Sequence, residues 1–99
     1  MEQGGRALRL DKFLYFTRFA KSRARSVALI EAGHMRIDGR PVVSIRDDVR
    51  VSQTITFAAG DKVRAIRVLA IPVRRGPALE ARACYEDMIV PDPIDAGGR

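Results

Sequence analysis

The amino-acid sequence predicts an α+β fold, two short helices packed on a small antiparallel sheet with a C-terminal helix. Three observations carry that expectation. Apolar residues recur at helical spacing as far as Ile30, an Asp38-Gly39 pair sits between two short alternating segments, and a β-rich texture runs from Val49 to Ile71 before Pro77 opens a last helical stretch.

The first helix is read over Leu10 to Phe19, with Leu10, Phe13, Leu14 and Thr17 on one face. Ala20-Lys21-Ser22 breaks that pattern, and Ser22 suits the N-cap of a second helix whose Ser26, Leu29 and Ile30 share a side. Gly33 is its stop. His34-Met35-Arg36-Ile37 and Arg40-Pro41-Val42-Val43 flank the Asp-Gly turn as a tight hairpin, and Pro41, which lacks an N–H, argues for an edge strand there. Val49-Arg50-Val51, Thr54 to Phe57 and Lys62 to Ile71 supply further strands. Pro72 closes the last of them, Arg74-Arg75-Gly76 makes a basic turn, and Pro77 precedes a terminal helix from Ala78 to Met88. The expected organisation is one domain over 9–73 with its helix-helix-hairpin core at 9–43, a basic turn and helix at 74–90, and flexible termini at 1–8 and 91–99.

Charge narrows the function. The chain has 99 residues and a net charge of +6, and residues 9–40 hold eight basic side chains against three acidic ones, so five of the six excess charges lie there. Such a concentration attracts polyanions. Structural disulfides and Cys/His metal sites need more than the single Cys84 and single His34, so no cofactor or metal is expected and packing must supply stability. Met1 to Arg6 lacks the apolar stretch of a signal peptide, and no run approaches the roughly 20 apolar residues that span a bilayer. A cytoplasmic location without membrane contact is the expectation.

The segments Arg9-Leu10-Asp11-Lys12-Phe13-Leu14, Lys21-Ser22-Arg23, Leu29 to Ile37 and Asp38-Gly39-Arg40-Pro41-Val42 together resemble the RNA-binding domain of ribosomal small-subunit protein four, the S-four domain. The resemblance implies the alpha-L RNA-binding motif. Double-stranded RNA hides its base edges in a deep groove, so phosphates, 2′-hydroxyls and shape are what a basic face reads. A phosphate suits the free N–H groups and positive dipole end of the second helix at Ser22-Arg23. Lys21, Arg23 and Arg25 reinforce that point, His34 and Arg36 extend it across the hairpin, and Arg9, Lys12 and Arg40 form its rim. Arg18 is weighed between contact and a solvated helix face, and Asp11 is read as a helix-start or intradomain pairing residue rather than a ligand. The helical spacing of Phe13, Tyr15, Phe16 and Phe19 favours packing over base stacking.

Two departures from the family pattern stand out. Asp38 replaces the frequent asparagine and adds a negative charge near any phosphate, and Ser52-Gln53 stands where Gly-Asp is common, which puts that turn in question. Arg74-Arg75-Gly76-Pro77-Ala78, Glu80-Ala81 and Tyr85-Glu86 further resemble the heat-shock-protein-fifteen branch of stand-alone S-four proteins. That branch implies binding to large-subunit ribosomal RNA on a free subunit still holding peptidyl-tRNA, with recycling or processing the outcome and a stress response the setting. A related branch works in ribosome-associated quality control, tRNA is a further candidate partner, and a monomer is expected. Contacts of the heat-shock branch's basic C-terminal extension are not carried over, because Asp92 and Asp95 occupy the stretch after Met88.

Rival classes are a DNA-binding helix-turn-helix regulator and the RNA-targeting part of an RNA-modifying enzyme. Asp47-Asp48 reads as an acidic loop, and Cys84 and His34 lie in different elements with no third orienting group, so no catalysis is expected.

Overall fold

The computed structural model describes residues 6–59 and 61–88. In chain order these form β1 (Leu8–Arg9), α1 (Leu10–Phe16), α2 (Arg23–Glu31), β2 (Arg36–Ile37), β3 (Arg40–Pro41), β4 (Asp48–Val49), β5 (Thr54–Ala59), β6 (Lys62–Val68), α3 (Ala78–Arg82) and β7 (Tyr85–Met88). The strands make a five-stranded antiparallel sheet of order β3-β2-β5-β6-β7 and a separate β1-β4 pair. The α+β architecture with two packed helices, a small sheet and a C-terminal helix is the one the sequence predicts.

Ile37 stands opposite Ile55, and Ile55 opposite Ile66, so one row of branched side chains crosses three strands. Leu10, Phe13 and Leu14 of α1 and Ile30 of α2 pack on that row with Val49, Phe57 and Val68. Each such side chain, fully buried, contributes about 1.5–3 kcal/mol relative to exposure. Phe13 is in the core, and Phe19 packs edge-on against Phe57 at 5.5 Å and tilted against Tyr85 at 4.6 Å.

Local chemistry sets the boundaries. The N–H groups of Leu10 and Asp11 have no intrahelical acceptor and donate instead to the carbonyls of Asp47 and Ile45, so the loop before β4 closes the start of α1. The helix expected to reach Phe19 stops at Phe16. Thr17 Oγ1 donates to the Phe13 carbonyl, and Arg18 takes φ +69°, a left-handed backbone that cannot continue a right-handed helix. Asp38 and Gly39 both have positive φ, 51° and 83°, the geometry a two-residue hairpin turn requires. Pro41 lies in β3 on the sheet edge, where its missing N–H costs no ladder bond. The questioned turn at Ser52-Gln53 forms with Ser52 at φ +79°; the Gln53 side chain accepts from the Arg50 N–H at 2.7 Å, and the Ser52 N–H donates to the Val68 carbonyl.

Two further expectations are corrected. The helix predicted from Ala78 to Met88 ends at Arg82, and Tyr85–Met88 is instead β7, antiparallel to β6. Tertiary partners override the helical spacing: Tyr85 joins Phe19, Asp87 pairs with Arg64 at 2.8 Å, and the Cys84 carbonyl accepts from Leu69 and Ala70. Leu8, assigned to a flexible terminus, pairs with Val49 in β1 and packs against the core. The remaining expectations for 1–5 and 91–99 lie outside the described residues.

Candidate nucleic-acid interface

The centre of the basic region is organised around one buried acid. Asp11, in the first turn of α1, is 1% exposed. Its Oδ1 accepts from Arg9 Nε at 3.0 Å and from the Lys12 N–H at 2.9 Å, and its Oδ2 accepts from Arg9 Nη2 at 2.8 Å and Arg23 Nη2 at 3.5 Å. Burial pushes the carboxyl upward, but the hydrogen bonds and charges of Arg9, the Lys12 amide and the more distant Arg23 outweigh it and hold the group below its ordinary value. Asp11 therefore stays ionised and clamps two arginines from different elements beside each other.

The α1–α2 contact aligns this clamp with the start of α2. Ser26, fully buried, donates from Oγ to the Asp11 carbonyl at 2.6 Å. Ser22 is extended, and its Oγ accepts from the Arg25 N–H at 3.1 Å, the N-cap that the sequence predicts. Helix geometry leaves the Arg23 and Ala24 amides without intrahelical acceptors. Lys21, Arg23 and Arg25 are exposed around that end, and Lys12 is half-buried in the first turn of α1. Arg9 and Arg23 keep 38% and 50% of their side chains exposed and hold guanidinium donors beyond those Asp11 uses.

The hairpin is divided between two faces. Ile37 points into the core, so its neighbour Arg36 falls on the opposite face of the sheet, level with Thr56. There Arg36 and His34 line a shallow groove with Pro41, Thr56, Ala58 and Val63. Arg36 Nη1 donates to the Gly39 carbonyl at 3.1 Å. Arg40, level with Ile37, lines a polar groove on the other side with Asp47, Asp48 and Arg50, and Asp48 stands opposite Arg9. The structure thus gathers Arg9, Lys12, Lys21, Ser22, Arg23 and Arg25 around adjoining helix starts, sets Arg40 across an acidic strip, and separates His34 and Arg36 from them. The single convergent face expected from the sequence is interrupted by the two-residue period of β2.

Other charged groups have structural partners. Arg18 Nε donates to the Gly76 carbonyl at 2.6 Å. Asp47 Oδ2 accepts from the Val43 N–H at 3.0 Å. Cys84 is buried, and desolvation followed by the Glu80 charge pushes its thiol up, the reverse of what activates a nucleophile. Among the described residues no group of three or more His, Cys, Asp or Glu could hold a metal, and no helix is long and apolar enough to cross a membrane. The residue that sequence reasoning missed is Arg75, read as part of a basic turn, whose guanidinium binds the helix layer; its only sequence signal is membership of the Arg74 to Ala78 pattern.

Residues 8–55 match the S4 domain family. Over 80 residues the chain is 36% identical to Heat shock protein 15 of Escherichia coli (strain K12), covering 81% of this chain and 59% of that protein. It is 29% identical, again over 80 residues, to the Heat shock protein 15 homolog of Haemophilus influenzae, with 81% of this chain and 60% of that protein covered. The chain thus spans about three fifths of the length of these curated relatives. A solved trimeric structure of Vibrio cholerae Heat Shock Protein 15 superposes with a TM-score of 0.76 at 26% identity, covering 95% of this chain and 90% of that one.

Proposed function

This chain carries an S4 domain over residues 8–55 and is homologous to Heat shock protein 15, and from that premise we propose that it binds structured RNA through the start of α2 without catalysing a reaction. The observation that carries the reading is the Asp11 clamp. A buried, ionised carboxylate holds Arg9 and Arg23 beside the Ser22-capped helix end, so guanidinium donors and open amides meet an anion together. Phosphate contacts of this kind fix register without reading bases, which suits a ligand recognised by shape.

The partner we infer is ribosomal RNA of the large subunit, on particles that retain peptidyl-tRNA after aborted translation, with tRNA a further contact and recycling or quality control in the cytoplasm the result. The homology to a heat-shock family supports a role under stress. Crosslinking followed by sequencing of bound RNA tests the assignment: enrichment of large-subunit rRNA and tRNA supports it, whereas small-subunit rRNA alone, or tighter binding to duplex DNA, overturns it. Affinity is expected to rise as salt falls, with log K changing by about 0.7–0.9 per neutralised phosphate per decade of salt. Arg23→Ala reduces that slope by about one phosphate and leaves the fold intact; a slope equal to that of the parent removes Arg23 from the interface. We further propose that the chain acts as a monomer. Sedimentation equilibrium decides this, and a stable trimer, the state of the Vibrio protein, would reject it.

A further inference from the structure

We propose that Arg75 is a positioning residue for the RNA-contacting end of α2, supplied by chain outside the segment that matches the S4 domain. The match ends at residue 55, twenty residues before Arg75. Yet Arg75 Nη1 donates to two carbonyls of the helix layer, Tyr15 in a short bond and Ala20 at 3.0 Å, and its guanidinium carbon lies 4.4 Å from the centre of the Tyr15 ring. Tyr15 is in the last turn of α1, and Ala20 is the residue before Lys21. One planar group therefore ties down both ends of the turn that joins α1 to α2.

The tie is reciprocal. Arg18, in the middle of that turn, is held at φ +69°, a conformation disfavoured for any residue with a Cβ, while its Nε donates to the Gly76 carbonyl at 2.6 Å. An arginine from each segment thus bonds the backbone of the other. Two peptide units separate Ala20 from Ser22, so fixing the Ala20 carbonyl restricts where the N-cap and the flanking Lys21 and Arg23 side chains can lie. Without the tie the turn samples other geometries, and apparent affinity falls in proportion to the fraction of molecules still in the binding one.

A guanidinium is required for this task. Lysine keeps the charge but offers a compact ammonium that cannot stack on Tyr15 while bridging two carbonyls. That difference separates positioning from direct attraction of phosphate. The functional half of the proposal rests on the RNA-binding reading; the structural half does not.

The experiment compares the full chain with Arg75→Lys and Arg75→Gln, using amide hydrogen exchange on the free protein and binding to purified large-subunit rRNA across a salt series. The hydrogen-bonded amides of Arg18, Ala20 and Arg25 are expected to exchange on the order of 10-fold faster in both variants, with β5 and β6 unchanged. Affinity is expected to fall on the order of 10-fold in both with the salt slope of the parent retained, because the bound complex neutralises the same phosphates. Unaltered exchange at those amides overturns the proposal, as does parental affinity in Arg75→Lys, which would assign Arg75 to charge alone. Loss of protection throughout the sheet also overturns it, since Arg75 would then support the whole fold rather than the site. If the parent chain fails to bind rRNA, the functional reading fails while the exchange comparison still decides the placement.

Discussion

Replacing Asp11 by asparagine keeps size and shape and removes the charge at the centre of the clamp. The substituted amide can still present an oxygen to Arg9 Nε and the Lys12 N–H, but its NH2 then faces Arg9 Nη2 across 2.8 Å, donor against donor, at a position that is 1% exposed. A hydrogen bond to a charged group contributes about 1.5–3 kcal/mol. The partly exposed arginines recover some solvation, which trims the loss. We expect Asp11→Asn to cost about 2 kcal/mol at pH 7, a fall in Tm of about 8–16 °C for a domain of this size. The loss should depend on pH. The folded carboxyl is held below its ordinary 3.8, so the unfolded state binds the proton first, and the stabilisation is complete above that value and disappears as pH falls through the folded one. Circular dichroism melts of both proteins at pH 7 and through the acid range measure it. A difference under about 0.5 kcal/mol at pH 7, or one that persists undiminished at the lowest pH at which both fold, would refute the clamp as a source of stability.

Other substitutions probe the turns. Ser52→Gly relieves a left-handed residue costing about 1–2 kcal/mol and adds about 0.5–1 kcal/mol of unfolded-state entropy, so the urea midpoint should rise by the equivalent of about 0.5–1 kcal/mol; a lower midpoint would show that the Ser52 side chain stabilises the turn. Asp38→Asn retains the oxygen that accepts from the Thr54 N–H at 2.9 Å and tolerates φ +51°. Stability should stay within about 0.5 kcal/mol while RNA affinity rises at low salt, and affinity unchanged at every salt concentration would place the hairpin tip away from the RNA.

How much of this was legible depended on whether a residue's role is local. The sequence by itself determined the α+β class, the Ser22 N-cap, the Asp38-Gly39 turn and the concentration of positive charge from Arg9 to Arg40, because each rests on backbone preferences or side-chain chemistry acting within a few residues. It also read Asp11 as a helix-start or pairing residue, and Phe13 and Phe19 as packing residues. Tertiary structure decided the rest. Tyr85–Met88 became a strand because β6 offered an open edge and Arg64 and Phe19 offered partners, none of which helical spacing can register. Arg36 left the basic face because burial of Ile37 sets the phase of β2, and that phase is fixed only when the strand meets β5. Arg18 and Arg75, whose surroundings in the chain read as solvated charge, were drawn onto carbonyls nearly sixty residues away in sequence, contacts that exist only once the sheet has carried the chain back to α1.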